Sequence, residues 1–380
     1  MHDSNFNDHR SSFDWMLLLC ALGLMSIGAA FVFSATEGYQ ATLPWYKQMY
    51  VHQIIWYVVG LAAAASLLVV DYTRLARWSW VVYGGTILLL IAVLFIGSKV
   101  HGGKRWIALG PFGLQPSEFA KIGFILLLAN FLSRPAEELR RPRVFYAALG
   151  LTLVPFLLIR QEPDLGSALV FPAICLAMMF VAGVPGRMLI RLVMAGGLLT
   201  VLVVAAILFA PAKLNIASYQ KARLLTYFGR SKNYDDKYNV EQSLISVGSG
   251  GFKGKGWRHG TQDSLGFLPR AGAHNDFIFS VIAEEEGFVG SVVVLALYTV
   301  LLFSGIKIAS QARDHLGQLL AIGVVTLLFC HVFINVGMNI RMMPVTGIPL
   351  PLLSYGGSSV VCSLVAIGIL HNVHMYRRSY

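Results

Sequence analysis

Ten stretches of this chain are apolar for long enough, or nearly so, to cross a lipid bilayer as helix; a crossing takes roughly 20 residues. They lie near 14–36, 50–70, 77–98, 117–133, 144–160, 164–184, 188–210, 288–308, 317–339 and 356–374. In lipid no water is available to bond stray backbone groups, and a helix satisfies its amides within the segment. The expected fold is therefore an all-α integral membrane protein. It has ten transmembrane helices and one large extracytoplasmic loop, about 211–287, between the seventh and eighth. Composition agrees: 56% of the chain is hydrophobic and 13% charged, against roughly 25% charged in soluble domains. Residues 1–380 read as a single polytopic membrane domain. No internal repeat is visible, which weakens a reading as an inverted-repeat transporter.

Residues 1–13 are polar and mixed in charge, and the first apolar run is too long for a signal sequence, so 1–13 reads as a cytoplasmic tail. Cys20, Cys175, Cys330 and Cys362 each stand alone in an apolar run, without metal or redox spacing, and read as reduced core residues. Orientation follows lysine and arginine. With the N-terminus inside, the short inner segments carry thirteen of them and the short outer segments six. The chain is thus expected to be multi-pass, N-in and C-in, with a C-terminal cytoplasmic tail at about 375–380. From 211 to 275 the long loop holds ten Lys/Arg against four Asp/Glu. That excess fits a solvated basic loop near anionic headgroups of membrane lipids, or a site for an anionic lipid-linked substrate. An extracytoplasmic loop argues against nucleic acid as the partner.

The remaining lysine, Lys121, lies inside the fourth run, in Q-P-S-E-F-A-K. Pro116 suits a helix start, and Glu118 and Lys121, three apart, share a helix face. Ionisable residues within a span are expensive, and a functional hypothesis is the default; the bland alternative is a neutralised pair that fixes packing. Asp164, in R-Q-E-P-D-L-G, opens the sixth run at the same outer level, and Arg105 and Arg160 can reach it. Within residues 273–287, A-H-N-D-F-I-F-S-V-I-A-E-E-E-G, the part 276–286 reads as a short helix at the outer boundary and not a crossing, with Asp276, Ser280 and Glu284 within about 80° of one another on its face. An acid beside the apolar wall of Phe277, Ile278 and Phe279 can hold a raised pKa, as a general acid or base needs; otherwise Asp276 complements the helix dipole. V-G-S-G-G-F-K-G-K-G-W-R-H-G-T-Q has six glycines between Gly248 and Gly260. It is either an anion-cradling segment or a flexible loop, and not a P-loop, because Gly256 follows Lys255.

Together these motifs resemble the SEDS family (shape, elongation, division and sporulation) of peptidoglycan glycosyltransferases. R-M-M-P-V-T-G-I-P-L-P-L-L-S-Y-G-G-S-S (341–359), preceded by Asn335, carries the likeness most strongly. G-K-R-W, Q-P-S-E-F-A-K, E-P-D-L-G, Y-Q-K-A-R, G-S-G-G-x-x-G-K-G and D-F-I-F-S-V-I-A-E-E follow the family's order. G-K-G-W-R-H-G-T-Q is similar to the elongation branch, RodA-like rather than FtsW-like. The chain departs from the family pattern with H-N-D for H-T-D, with L-P-R-A-G-A-H for L-P-E-x-H, and with Glu286 for an apolar residue. The resemblance implies a bacterial cytoplasmic membrane protein that polymerises lipid II into glycan strands for elongation and shape. It implies Asp276 as the essential aspartate, functional roles for Glu118, Lys121 and Asp164, and a class B penicillin-binding protein as transpeptidase partner. Arg105, Lys121 and Arg223 become candidates to meet the pyrophosphate, with Glu118 and Asp164 orienting them. Pyrophosphate also brings an expectation of a divalent cation, Mg²⁺ or Mn²⁺, although no all-protein cage is evident. The alternatives are a flippase or transporter for the same precursor, and a non-catalytic scaffold.

Overall fold

The computed structural model describes residues 13–378, apart from 41, 101–102, 110–111, 163, 210–224, 229–233 and 269–271. Helices dominate it. In chain order they are α1 (Trp15–Gln40), α2 (Met49–Leu68), α3 (Tyr72–Arg77), α4 (Ser79–Ile96), α5 (Pro116–Leu132) and α6 (Ala136–Leu139). There follow α7 (Pro142–Gln161), α8 (Leu165–Ala182), α9 (Gly186–Phe209), α10 (Tyr234–Ser249) and α11 (Thr261–Ser264). Last come α12 (Ile278–Ser310), α13 (His315–Asn339) and α14 (Gly357–Met375).

Nine of these, among the described residues, are long and apolar enough to cross a membrane. The tenth expected span, α5, has 17 residues and carries Glu118 and Lys121. At 1.5 Å per residue it is about 25 Å long, a little short of the roughly 30 Å hydrocarbon core. Length matters less here because α5 is the hub of the bundle. Nearly all of its residues are buried, and it packs against α4, α8, α13, α14 and α7. A helix walled off from lipid can hold an ion pair that a peripheral one could not. At the other extreme, α9 leaves almost its whole surface outside the core, with Val193, Met194, Leu198 and Val201 exposed.

Polar groups tie the helix ends together. The Asn372 side chain on α14 donates to the carbonyls of Leu67 (2.5 Å) and Val70 (2.6 Å) at the end of α2. Its oxygen accepts from the Tyr72 amide at 3.0 Å, so one buried amide stitches α2, α3 and α14. Asp314 caps α13 through the Gly317 amide at 2.7 Å.

One element was not foreseen. Within 98–114, read as an outer loop, the described residues form a three-stranded antiparallel sheet, β1 (Ser98–Val100), β2 (Gly103–Leu109) and β3 (Phe112–Leu114). The register pairs Val100 with Gly103 and Leu109 with Phe112, so the strands turn back almost at once. Strands this short leave little alternation to read in a sequence. Lys104 on β2 donates to the carbonyls of Leu94 and Phe95, both at 3.2 Å, which offsets the negative end of α4. The sheet covers the loop end of the bundle, the end that also bears the connection from α9 to α12.

The kinked α12 differs from its expected form in a second respect. Its 33 residues are two helical pieces joined at Gly287 (φ 65°, ψ −155°). The expected short helix is the first piece, and it begins two residues later than Asp276.

Candidate active site at the loop end

Asp276 lies in the turn Gly272–Phe277, outside the helix it was expected to open. The N-cap is Phe277, which makes no side-chain cap bond. The expected face of Asp276, Ser280 and Glu284 therefore does not form. The cause is competition for the turn's backbone. Asn335 and Asn339 on α13 both donate to the Asp276 carbonyl, at 3.0 and 3.1 Å. Ser354 donates to the Asn275 carbonyl at 2.7 Å, and the Tyr355 amide to that of His274 at 2.9 Å. Carbonyls held this way are not available to a first helical turn. The 341–359 motif thus acts as a clamp on the aspartate turn. The Asp276 side chain is half-buried, and a Cβ added to Gly347 would sit 3.4 Å from its Oδ2.

Ser280 and Glu284 serve other surfaces. Ser280 Oγ donates to Asn339 Oδ1 at 2.6 Å and meets Ser243 Oγ of α10, also at 2.6 Å. Glu284, fully buried, accepts from Lys255 Nζ at 2.5 Å and from the Thr261 and Gln262 amides at 2.8 and 3.1 Å. It thereby occupies the N-terminal end of α11. Glu285 accepts from Ser34 Oγ at 2.6 Å and from the Arg258 amide at 3.0 Å. The Arg258 side chain pairs with Glu37 of α1.

The glycine-rich segment is placed by these acids: its Arg258, Thr261 and Gln262 amides cradle the two carboxylates, so it is not a free loop. Its Lys255 and Gly256 amides donate to the carbonyls of Glu284 and Glu285, at 3.0 and 2.8 Å. The Phe288 amide returns a bond to Gly251 at 2.9 Å. Backbone lies on backbone there. A Cβ on Gly254 would collide with the Glu285 carbonyl, and one on Gly287 with the Gly254 amide. Gly250, Gly254 and Gly287 are spent on this contact.

The other expected site residues form two groups. Inside the bundle, Lys121 Nζ lies 2.8 Å from Glu118 Oε1 and 2.8 Å from His331 Nε2 of α13, and all three residues are buried. Nearer the mouth, Arg105 Nε donates to the Glu162 carbonyl at 2.9 Å. Asp164 caps α8 through the Ser167 amide at 3.1 Å. The α8 start packs under the clamp, since a Cβ on Gly166 would come within 3.0 Å of Ile348. Gly166, two residues on from Asp164, and Asp276 thus meet one stretch, Thr346–Ile348, while Lys121 sits a turn deeper than Glu118 among different neighbours. Arg223 lies outside the described residues.

Sequence reasoning passed over three members, His331, Asn339 and Glu162, and took Asn335 only as part of a motif. His331, Asn335 and Asn339 recur every fourth residue, and that polar stripe on an otherwise apolar helix was the available signal. Glu162 stood in the quoted E-P-D-L-G, but nothing in its spacing told that it would be buried. Both its carboxylate oxygens lack a hydrogen-bond partner. Burial pushes its carboxyl up to about 9, Asp164 adds to the rise and Arg105 opposes it. No group of three or more His, Cys, Asp or Glu fit to hold a metal occurs among the described residues.

These contacts define a multi-pass membrane protein whose polar site is built at the mouth of its own bundle. Residues 14–379 match the model of the FtsW/RodA/SpoVE cell cycle proteins, and the chain belongs to that family. It is 35% identical to the peptidoglycan glycosyltransferase RodA of Treponema pallidum, with 96% of this chain and 98% of that protein covered. Against the peptidoglycan glycosyltransferase MrdB of Escherichia coli K12 it is 38% identical, with 79% of each covered. In structure it matches a chain of a peptidoglycan synthase complex that coordinates polymerization and crosslinking, at TM-score 0.80 and 31% identity, covering 97% of this chain and 99% of that one. Thermus thermophilus RodA matches at TM-score 0.69 and 29% identity, covering 97% and 98%. Within the family the chain is RodA-like rather than FtsW-like.

Proposed function

We propose that this chain is a peptidoglycan glycosyltransferase that polymerises lipid II on the outer face of the bacterial cytoplasmic membrane during elongation. The observation that carries the reading is the lock on the Asp276 turn: two side-chain amides hold its carbonyl, and the residue itself is only partly buried. In the reaction the 4-hydroxyl oxygen of the acceptor sugar bonds to the anomeric carbon of the donor. The bond from that carbon to the undecaprenyl pyrophosphate oxygen breaks, and the hydroxyl proton passes to the Asp276 carboxylate. General-base help of this kind contributes roughly 10²–10⁴-fold. Electrostatic stabilisation of the departing pyrophosphate contributes more.

Arg105, half-buried on β2, and Arg223 are proposed to meet the pyrophosphate. Glu118 and Asp164 orient the cations. Lys121 is proposed to reach the pyrophosphate by exchanging one of its two buried partners for a phosphate oxygen. A divalent ion fits the donor set only in a shared form, because Mg²⁺ commonly takes one or two carboxylates plus substrate phosphates. Asp276 and the pyrophosphate would hold it, and it would supply charge neutralisation there.

The orientation proposed is N-in and C-in, which places the loop end outside. A class B penicillin-binding protein is the proposed partner, supplying the transpeptidase that this chain lacks. The names of the relatives do not favour a flippase for the same precursor.

Asp276→Asn provides the test. The change is nearly isosteric and leaves the backbone carbonyl to Asn335 and Asn339. The purified variant, with its partner, should fold, bind lipid II and make no polymer in detergent, where there are no two sides to flip between. Near-normal polymer from the variant, with thermal stability unchanged, would remove Asp276 from the chemistry.

A further inference from the structure

The polar stripe on α13 joins the two halves of the site. Residues 331, 335 and 339 are four apart, so each step rotates about 40° and rises about 6 Å along one face. His331, at the deep end, meets Lys121 at 2.8 Å. Asn335 and Asn339 hold the Asp276 carbonyl, and Asn339 is itself bonded to the Asn335 carbonyl at 2.8 Å. All three stripe residues are buried.

The chemistry of the deep contact is one-sided. Beside the Glu118 carboxylate, Lys121 is an ammonium, which donates only. His331 Nε2 must therefore offer its lone pair, which makes the imidazole neutral with its proton on Nδ1. Lys121 belongs to α5 and is wholly buried, so the height and rotation of α13 against α5 are set by a charge-assisted bond in a dry interior, where such bonds are strong. The two asparagines ride on the same rigid rod. Any shift of α13 that lengthened the His331 bond would move both amides, and with them the Asp276 backbone.

We propose that His331 is a positioning residue for Asp276: it anchors α13 to Lys121 and so fixes where Asn335 and Asn339 hold the aspartate turn. The inference rests on the reading of Asp276 as the base, but its structural half does not need that reading.

The experiment uses the full chain with its partner and compares the parent with His331→Leu, which removes the acceptor, and His331→Gln, which restores one of similar reach. If the Leu variant fails to fold, His331→Asn replaces it; its acceptor is polar but too short to reach Lys121. Two quantities are measured: polymerisation of labelled lipid II, and amide hydrogen exchange in residues 272–280. The Leu or Asn variant should lose about 10-fold or more in kcat, with KM within about twofold, as outer partners of a reactive group typically cost 10–100-fold. Exchange in 272–280 should rise in that variant. The Gln variant should recover both. Parent-like exchange in the Leu or Asn variant, or a Gln variant no better than Leu in either readout, would overturn the proposal. If the parent itself makes no polymer, the glycosyltransferase reading fails, and the exchange data still decide whether His331 holds the turn.

Discussion

Lys121 has two buried partners of different kinds, and that difference makes its role measurable. If the Glu118–Lys121 pair only fixes packing, removing both should be milder than removing one. A lone buried charge typically costs about 3–5 kcal/mol. If Lys121 exchanges a partner for pyrophosphate, Lys121→Ala should abolish polymerisation in every background, Glu118→Ala included. Polymer from the double variant would end the substrate role. Glu162 makes a separate prediction. Its carboxyl titrates near 4.5 in an ordinary setting and near 9 in the fold, so between those values the folded state keeps a proton that the unfolded chain has lost. A group raised in this way gives stability that is complete below about 4.5 and is lost as pH rises towards about 9. Thermal unfolding of the parent should therefore fall across this window relative to Glu162→Gln, which carries no charge at any pH. A constant difference between the two would contradict it. Asp276, Glu118, Lys121 and Asp164 were legible in the sequence because ionisable residues are rare among apolar runs. Glu162 and His331 were not, since burial and a partner on another helix are tertiary facts.

The short outer piece of α12 owes its position to the glycine-rich segment folded onto it. Gly254 has φ 78° and no room for a Cβ against the Glu285 carbonyl. Gly254→Ala should cost about 2 kcal/mol or more, from strain and collision together. Gly248, with open space around it and a place in α10, should accept alanine with a gain of about 0.5–1 kcal/mol. Thermal unfolding of the two variants gives the comparison, and equal effects would mean that the segment is not pinned as described. At this scale the spans were readable almost to the residue, because a long apolar run has one stable form in lipid. The small sheet and the late start of α12 at Ile278 were not, whereas the break at Gly287 falls between the expected short helix and the expected eighth span. The sheet and the late start depend on backbone contacts between segments that sequence spacing does not reveal.

For the molecule as a whole, the proposed orientation gives opposite fates to the two ends of the bundle. Leu265→Cys, at an exposed position of the loop end, should react with an impermeant maleimide added to intact cells. Glu137→Cys, at an exposed position between α5 and α7, should react only after the membrane is opened. Reaction of both in intact cells would sink the N-in, C-in arrangement. The native Cys20, Cys175 and Cys362 are buried, and the half-buried Cys330 is replaced by alanine in the parent to lower the background. The multi-pass helical plan was visible in composition, and nine of the ten expected spans are long and apolar enough among the described residues; the mutual placement of the spans was not, since every apolar helix face looks alike until it is packed.

The burial of Lys121 also bears on how the chain is made. During synthesis α5 leaves the ribosome long before α13, yet His331 is one of its two partners. Glu118 and Lys121 lie in the first two turns of α5, so each costs less than the roughly 2.5–3.5 kcal/mol of a charge at a helix centre, but a lone 17-residue helix that carries both enters lipid poorly. Alone, α5 is therefore a poor membrane segment that only the later helices make tenable. A nascent chain stopped after residue 311 should expose it to the quality-control proteases of the membrane and decay quickly. The same truncated chain with Glu118→Leu and Lys121→Leu should persist longer in a pulse-chase. Equal lifetimes would show that α5 holds its place in lipid without waiting for α13.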